Sequence, residues 1–220
     1  MIEYQLIRSK RRTLSVSIDG EGAVVVRAPL RLPQREIEAF LTEKGNWIAQ
    51  KQALAQAGLA SRQEARLEDG ARIPFWGGSL IVRFEAVLTA FDREGTLVLP
   101  VGKDALKQAL KWRRRRAEEL LAPRVMDWSE RTGLTPAKIS YGNASRRWGS
   151  MSARGGLRLN TALIHLKPEM ADYVIVHELA HLKHPDHSPA FHARVRAILP
   201  GADQIRQEMR KWTYVTTLWK

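Results

Sequence analysis

An α+β fold is predicted for this 220-residue chain, with a strand-rich first part and a helix-rich second part. Three observations predict it. Short apolar runs separated by turn residues fill the chain up to about residue 100. From Lys103 the apolar spacing changes to the 3.6-residue period of a helix and keeps it past Trp128. Further short strand patterns between residues 138 and 160 then lead into an apolar helix carrying His177-Glu178-Leu179-Ala180-His181.

Each element has a local reason. Residues 4–8, 13–18 and 23–28 read as strands, with Asp19-Gly20-Glu21-Gly22 supplying the turn between the last two. A helix is expected from Pro33, carrying Ile37, Phe40, Leu41, Trp47 and Ile48 on its apolar side. Strands are expected at residues 72–74, 80–84 and 97–99, with Gly77-Gly78 as a hairpin turn. The long helix from Lys103 has Pro123 as the place where it would break, and Gly133 suits the position just past its end. Strands follow at residues 138–141, 148–152 and 157–160. Pro168 suits the first turn of the next helix and His184-Pro185 its end; Ser188 and Pro189 open another through Phe191, Val195 and Ile198. The composition shift divides the chain into a strand-rich part, residues 1–100, and a second domain, residues 101–220.

Composition bounds the function. An apolar content of 44% and a charged content of 27% are those of a soluble globular protein. With no cysteine, disulfides and thiolate ligands are excluded, so any metal must use histidine, carboxylate or water. The N-terminus has no basic-then-apolar leader and no apolar run approaches a membrane span, so a cytoplasmic location without membrane contact is expected. The net charge of +13 is unevenly placed. Between Glu130 and Glu169 there is no acid, only Arg131, Lys138, Arg146, Arg147, Arg154, Arg158 and Lys167. A positive field there favours acidic peptides, phosphate-rich molecules or electrostatic nucleic-acid contact. The run Lys111-Trp112-Arg113-Arg114-Arg115-Arg116 looks similar, but it sits on an amphipathic helix and reads as that helix's wet side.

The pentapeptide at 177–181 carries the chemistry. Histidines four apart share one helix face, so their imidazoles can converge on a cation. Glu178, about 100° further round, can reach a metal-bound water instead of the metal. All six histidines fall between 165 and 192. His187, just beyond the helix, is the candidate third ligand, and His192 is the runner-up. Three protein ligands leave a fourth position for water, whose pKa zinc lowers toward about 7, and Glu178 would take its proton. His184 is a poor ligand candidate. Asp186 could orient His187 or be an ordinary turn aspartate. An oxyanion stabiliser is required, with Asn160, Arg147 and Tyr173 as candidates; Arg147, Asn160 and Arg158 are the candidate substrate-binding residues.

Beyond this chemistry, Arg147-Trp148-Gly149-Ser150, Leu159-Asn160, residues 173–181 and Asp186-His187-Ser188 with Phe191 resemble the YgjP-like metal-dependent hydrolases, relatives of the SprT and WLM metallopeptidases among the zincins. Met151 stands where that family usually has cysteine, and Phe191-His192 replaces its usual aromatic pair. Resemblance to metzincins is partial, since His184 stands where they need glycine. The YgjP-like resemblance implies a zincin-like core, with a small sheet over the HExxH helix and a second helix backing it. It implies zinc held by His177, His181 and His187, with Glu178 as base. A zinc metallopeptidase is the first expectation. A zinc hydrolase of nucleoside triphosphates or another phosphate-rich substrate is the second, and a nucleic-acid-binding protein with structural zinc the third.

Overall fold

A computed structural model describes residues 2–219, in two compact units, Met1–Gln63 and Glu64–Lys220. The first unit holds β1 (Gln5–Ser9), β2 (Ser15–Ile18), β3 (Val24–Pro29), α1 (Gln34–Glu43) and α2 (Gly45–Glu64). Its sheet has the order β1-β3-β2, with β1 parallel and β2 antiparallel to the central strand. The Asp19 carboxylate accepts from the backbone N–H groups of Glu21 and Ala23, which closes the turn the sequence indicates. Val24, Val26, Ala28, Ile37, Leu41 and Ile48 form a small separate core. The single helix expected from Pro33 is two, parted at Lys44 ahead of Gly45, a residue that weakens a helix by about 1 kcal/mol.

In the second unit, β4 (Arg72–Phe75), β5 (Gly78–Glu85), β6 (Phe91–Arg93) and β7 (Thr96–Pro100) pair in the order β4-β5-β7-β6. Strand β6 was not foreseen, because three residues carry too little periodicity. The β4–β5 turn is centred on Trp76-Gly77, both at positive φ (48° and 85°), one residue earlier than expected. The compositional boundary near residue 100 falls inside this unit, where β7 gives way to α3 (Ala105–Thr132). Helix α3 runs through Pro123 without the expected break. Its buried stripe, Ala109, Trp112, Ala117, Leu121, Val125 and Trp128, straddles the proline and holds the helix together against the lost hydrogen bond. Gly133 ends it in the left-handed conformation (φ 67°), as predicted.

The remaining elements are β8 (Lys138–Gly142), β9 (Gly149–Met151), β10 (Gly156–Asn160), a 3-10 turn over Thr161–His165, α4 (Pro168–Ala180), α5 (Pro189–Ile198), α6 (Ala202–Met209) and a 3-10 segment Arg210–Thr217. The small sheet has the order β8-β10-β9, so β9 lies at its edge, against α4. Helix α3 backs α4 from the other side. There the Arg124 guanidinium makes a bidentate ion pair with Asp172, which is only 9% exposed, while also lying 5.5 Å over the Trp76 ring. This is the layered arrangement the family resemblance implies. Among the described residues no helix is long and apolar enough to cross a membrane.

The basic run 111–116 is taken apart by the fold. Trp112 and Arg113 are buried, and Arg114, Arg115 and Arg116 pair with Glu118, Glu119 and Asp92. Arg113 donates to the Leu218 carbonyl (3.1 Å), and burial pulls its pKa down to about 10. Beside it His165, fully buried, holds the Pro74 carbonyl at 2.8 Å and meets the edge of Trp219. Burial, with Arg113 adding to it, pushes the His165 pKa down to about 3. Unfolding restores an ordinary value near 6.5, so only the unfolded chain gains this proton between those limits. His165 therefore leaves stability untouched above about pH 6.5 and removes it as pH falls from there toward 3. From pH 7 to 4.5 the expected loss is roughly 2–3 kcal/mol. Urea midpoints at the two pH values check it, with a clearly shallower acid slope in His165→Gln; an unchanged slope would acquit His165.

Candidate metal centre

Helix α4 is almost wholly buried from Met170 to Ala180, because nearly all its residues are apolar. It presents His177 and Glu178 from its last turns, with His181 as the first residue past its end. The helix stops earlier than His184-Pro185: the His181 N–H reaches the Glu178 carbonyl (3.2 Å) and the chain tightens into a turn. This early stop brings the His184 carbonyl to 3.0 Å from His181 Nδ1. A hydrogen on Nδ1 satisfies that carbonyl and leaves His181 Nε2 bare for a cation. So His184 contributes through its backbone, not as a ligand.

Ser188 caps α5, its hydroxyl accepting from the Phe191 N–H, and this sets the loop that carries His187. Asp186 accepts from the Ser188 N–H in the same turn. These Ser188 contacts lower its pKa, which fits the ordinary turn aspartate. The imidazoles of His177, His181 and His187 converge, their potential donor atoms all within 4.8 Å of one another. His187 Nε2 stands 3.2 Å from His177 Nε2. Nitrogens about 2.0–2.1 Å from a tetrahedral centre lie about 3.3 Å apart, so this pair fits a common cation. Burial, reinforced by the neighbouring histidines, drives the His177 pKa down to about 4, and burial also lowers that of His181. Neutral imidazoles are the form that binds metal.

Phe191 is the buttress under all three rings. It is fully buried, stacks on His181 at 4.5 Å, and meets His177 and His187 edge-on at 4.8 and 5.0 Å. Phe191→Ala is expected to cost about 3–5 kcal/mol. It should also weaken metal binding, as thermal unfolding and metal titration would show; Phe191→Leu should recover much of both. His192 packs on the His187 and Phe191 rings and stands outside the convergent set.

Glu178 is 7% exposed and lies against β9. Burial pushes its carboxyl up to about 7, resisted by a hydrogen bond from the Met151 backbone and by the Arg147 charge. Gly149 makes this placement possible. A Cβ on Gly149 would sit 2.8 Å from Glu178 Cγ and 2.9 Å from its Oε1. The backbone there does not have the left-handed φ that favours glycine, so what the site requires is the missing side chain.

Other sequence candidates divide. Arg147 and Tyr173 line the cavity of about 760 Å³ that opens beside the histidines. Asn160 does not. Its Nδ2 donates to the carbonyls of Ala144 (2.6 Å) and Arg147 (2.9 Å), and its Oδ1 accepts from the Ala162 N–H. Those bonds commit the amide to bracing the loop that carries Arg147, which leaves it no donor for an oxyanion. Arg158 lies over Gly142 and lines a smaller neighbouring cavity of about 350 Å³, together with Asn160. In the acid-free segment, Arg131 pairs with Asp127 and Lys167 with Glu208, so the field expected from seven bases reaches this cavity through Arg147. His165 belongs to a different, structural environment. Missed from the sequence were Arg206 and Arg210, which come to the cavity from α6 and the segment after it. No motif marks them.

Three imidazoles converge at the end of a core helix, with a buried carboxylate beside them, an arrangement that could hold a metal ion. The chain matches the YgjP-like family, described as a YgjP-like metallopeptidase domain, over residues 12–212, and it belongs to that family. Among solved structures it is similar to the metallopeptidase zymogen of Pyrococcus abyssi abylysin, with 25% identity and a TM-score of 0.36 over 42% of this chain and 90% of that one. It is also similar to the metallopeptidase zymogen of Methanocaldococcus jannaschii jannalysin, with 19% identity and a TM-score of 0.33 over 42% and 92% of the respective chains. No curated protein matches the chain.

Proposed function

We propose that the protein is a zinc-dependent metallopeptidase in which His177, His181 and His187 hold the metal and Glu178 is the general base. The observation that carries this reading is the convergence of three imidazole donors within 4.8 Å, with a buried carboxylate on the adjacent helix position. Membership of a metallopeptidase family implies a divalent metal; zinc is the choice that suits three neutral imidazoles and an open fourth position. When bound, zinc supplies Lewis-acid polarisation and lowers the pKa of a coordinated water to about 7.

The chain's own residues do the rest. Glu178, whose carboxyl burial holds near 7, can accept a proton at neutral pH and return it to a departing amine. The Met151 N–H and the Gly149 cradle fix where that carboxylate points. Trp148, Val174 and Met209 give the cavity apolar walls that limit water. Tyr173 lines the same cavity, its ring centre 5.8 Å from that of His177, and is our candidate for the oxyanion donor.

Hydrolysis of nucleoside triphosphates stands second. What ranks it second is membership of a metallopeptidase family. Paired assays of zinc-loaded protein with casein and with nucleoside triphosphates test the choice. Cleavage of casein alone is expected, and triphosphate hydrolysis alone would reverse it.

A further inference from the structure

We infer that the cavity selects polypeptides with acidic side chains close to the scissile bond, recognised by Arg147, Arg206 and Arg210. This deepens the peptidase reading and rests on it. The three arginines come from separate segments: the loop before β9, helix α6, and the 3-10 segment that follows it. All three line the same cavity as His177, Glu178, His181 and His187. The cations therefore reach the site from three separate segments of the chain.

Their charges are left available by the way nearby acids are used. On α6, Asp203 pairs with Arg196 and Glu208 with Lys167, which leaves Arg206 without a carboxylate on its own helix. Among the described residues, none of the three guanidiniums makes an ion pair, whereas Arg114, Arg124 and Arg131 elsewhere on the surface do. Among the described residues, the one acid lining the cavity is Glu178 itself. A guanidinium binds a carboxylate through two parallel N–H donors, and it does so more strongly beside apolar walls than in open water. The walls here are Trp148, Met151, Val174 and Met209. An occupant bearing both apolar side chains and spaced carboxylates fits such a lining.

The test uses two fluorogenic peptides of one sequence, one with Asp or Glu flanking the central bond and the other with Asn or Gln. Binding is measured to zinc-loaded Glu178→Gln, and kcat/KM with the wild type. The acidic peptide should bind about tenfold tighter, with the advantage shrinking between 50 and 300 mM salt. Reversing charge in Arg206→Glu/Arg210→Glu should abolish the preference and shift it toward a lysine-flanked peptide. Both arginines are exposed, so the folded state should tolerate this. Equal binding of the two peptides, or a preference indifferent to the charge reversal, overturns the inference. Preferential binding of the acidic peptide with neither peptide cleaved would support charge selection and place the failure in the peptidase reading.

Discussion

Replacing Glu178 by glutamine is expected to leave zinc stoichiometry unchanged and to reduce turnover by about 10²–10⁴-fold. The reason is a separation of roles. In the proposed site the metal donors are the imidazoles of His177, His181 and His187, and Glu178 is absent from that convergent set. Glutamine has the same shape and keeps an oxygen for the Met151 N–H, but it cannot take a proton. Its burial is also less costly than that of a carboxylate, whose pKa burial raises to about 7. Glu178→Gln should therefore fold at least as well as the wild type. Metal analysis alongside steady-state kinetics separates the outcomes: loss of zinc would make Glu178 a ligand, and retained activity would remove it from the mechanism.

Gly149→Ala is the second large effect, because it displaces the same carboxylate without touching its chemistry. The added methyl would lie 2.8–3.1 Å from three Glu178 side-chain atoms, closer than packed carbons tolerate. Glu178 is the mobile partner, yet it is enclosed between α4 and β9, so it shifts by a fraction of an ångström to an ångström within the site. A displacement of that size in a proton acceptor costs about 10²-fold in rate. Alanine suits strand backbone at this position, so the fold should survive with zinc in place. An activity near wild type in Gly149→Ala, measured as kcat with bound zinc confirmed, would show that the carboxylate position is not critical.

What could be read in the sequence and what could not follows from the range of the interactions. The convergence of His177, His181 and His187 was legible because it is local: two positions on one helix face and a third histidine six residues on. The cap at Ser188, the stop at Gly133 and the strands of the small sheet were legible for the same reason. Asn160 misled because a polar side chain near a site looks the same whether it faces a substrate or, as here, braces two backbone carbonyls. The six clustered histidines misled in part, since His165 is turned into the core against Trp219, 54 residues on. Pro123 misled because tertiary burial on both sides of it outweighs a local preference. Arg206 and Arg210 were invisible, their meaning resting on where α6 packs. The Arg124–Asp172 pair, 48 residues apart in the chain, could be found only once α3 and α4 were seen together.

The proposed three-histidine metal site leaves one coordination position open. Zinc K-edge absorption of the protein loaded with one equivalent of zinc tests it most directly. Three imidazole nitrogens and one further oxygen donor at about 2.0–2.1 Å are expected, with one imidazole lost in His187→Ala. A spectrum unchanged by His187→Ala, or one with four protein donors and no exchangeable oxygen, would contradict the account.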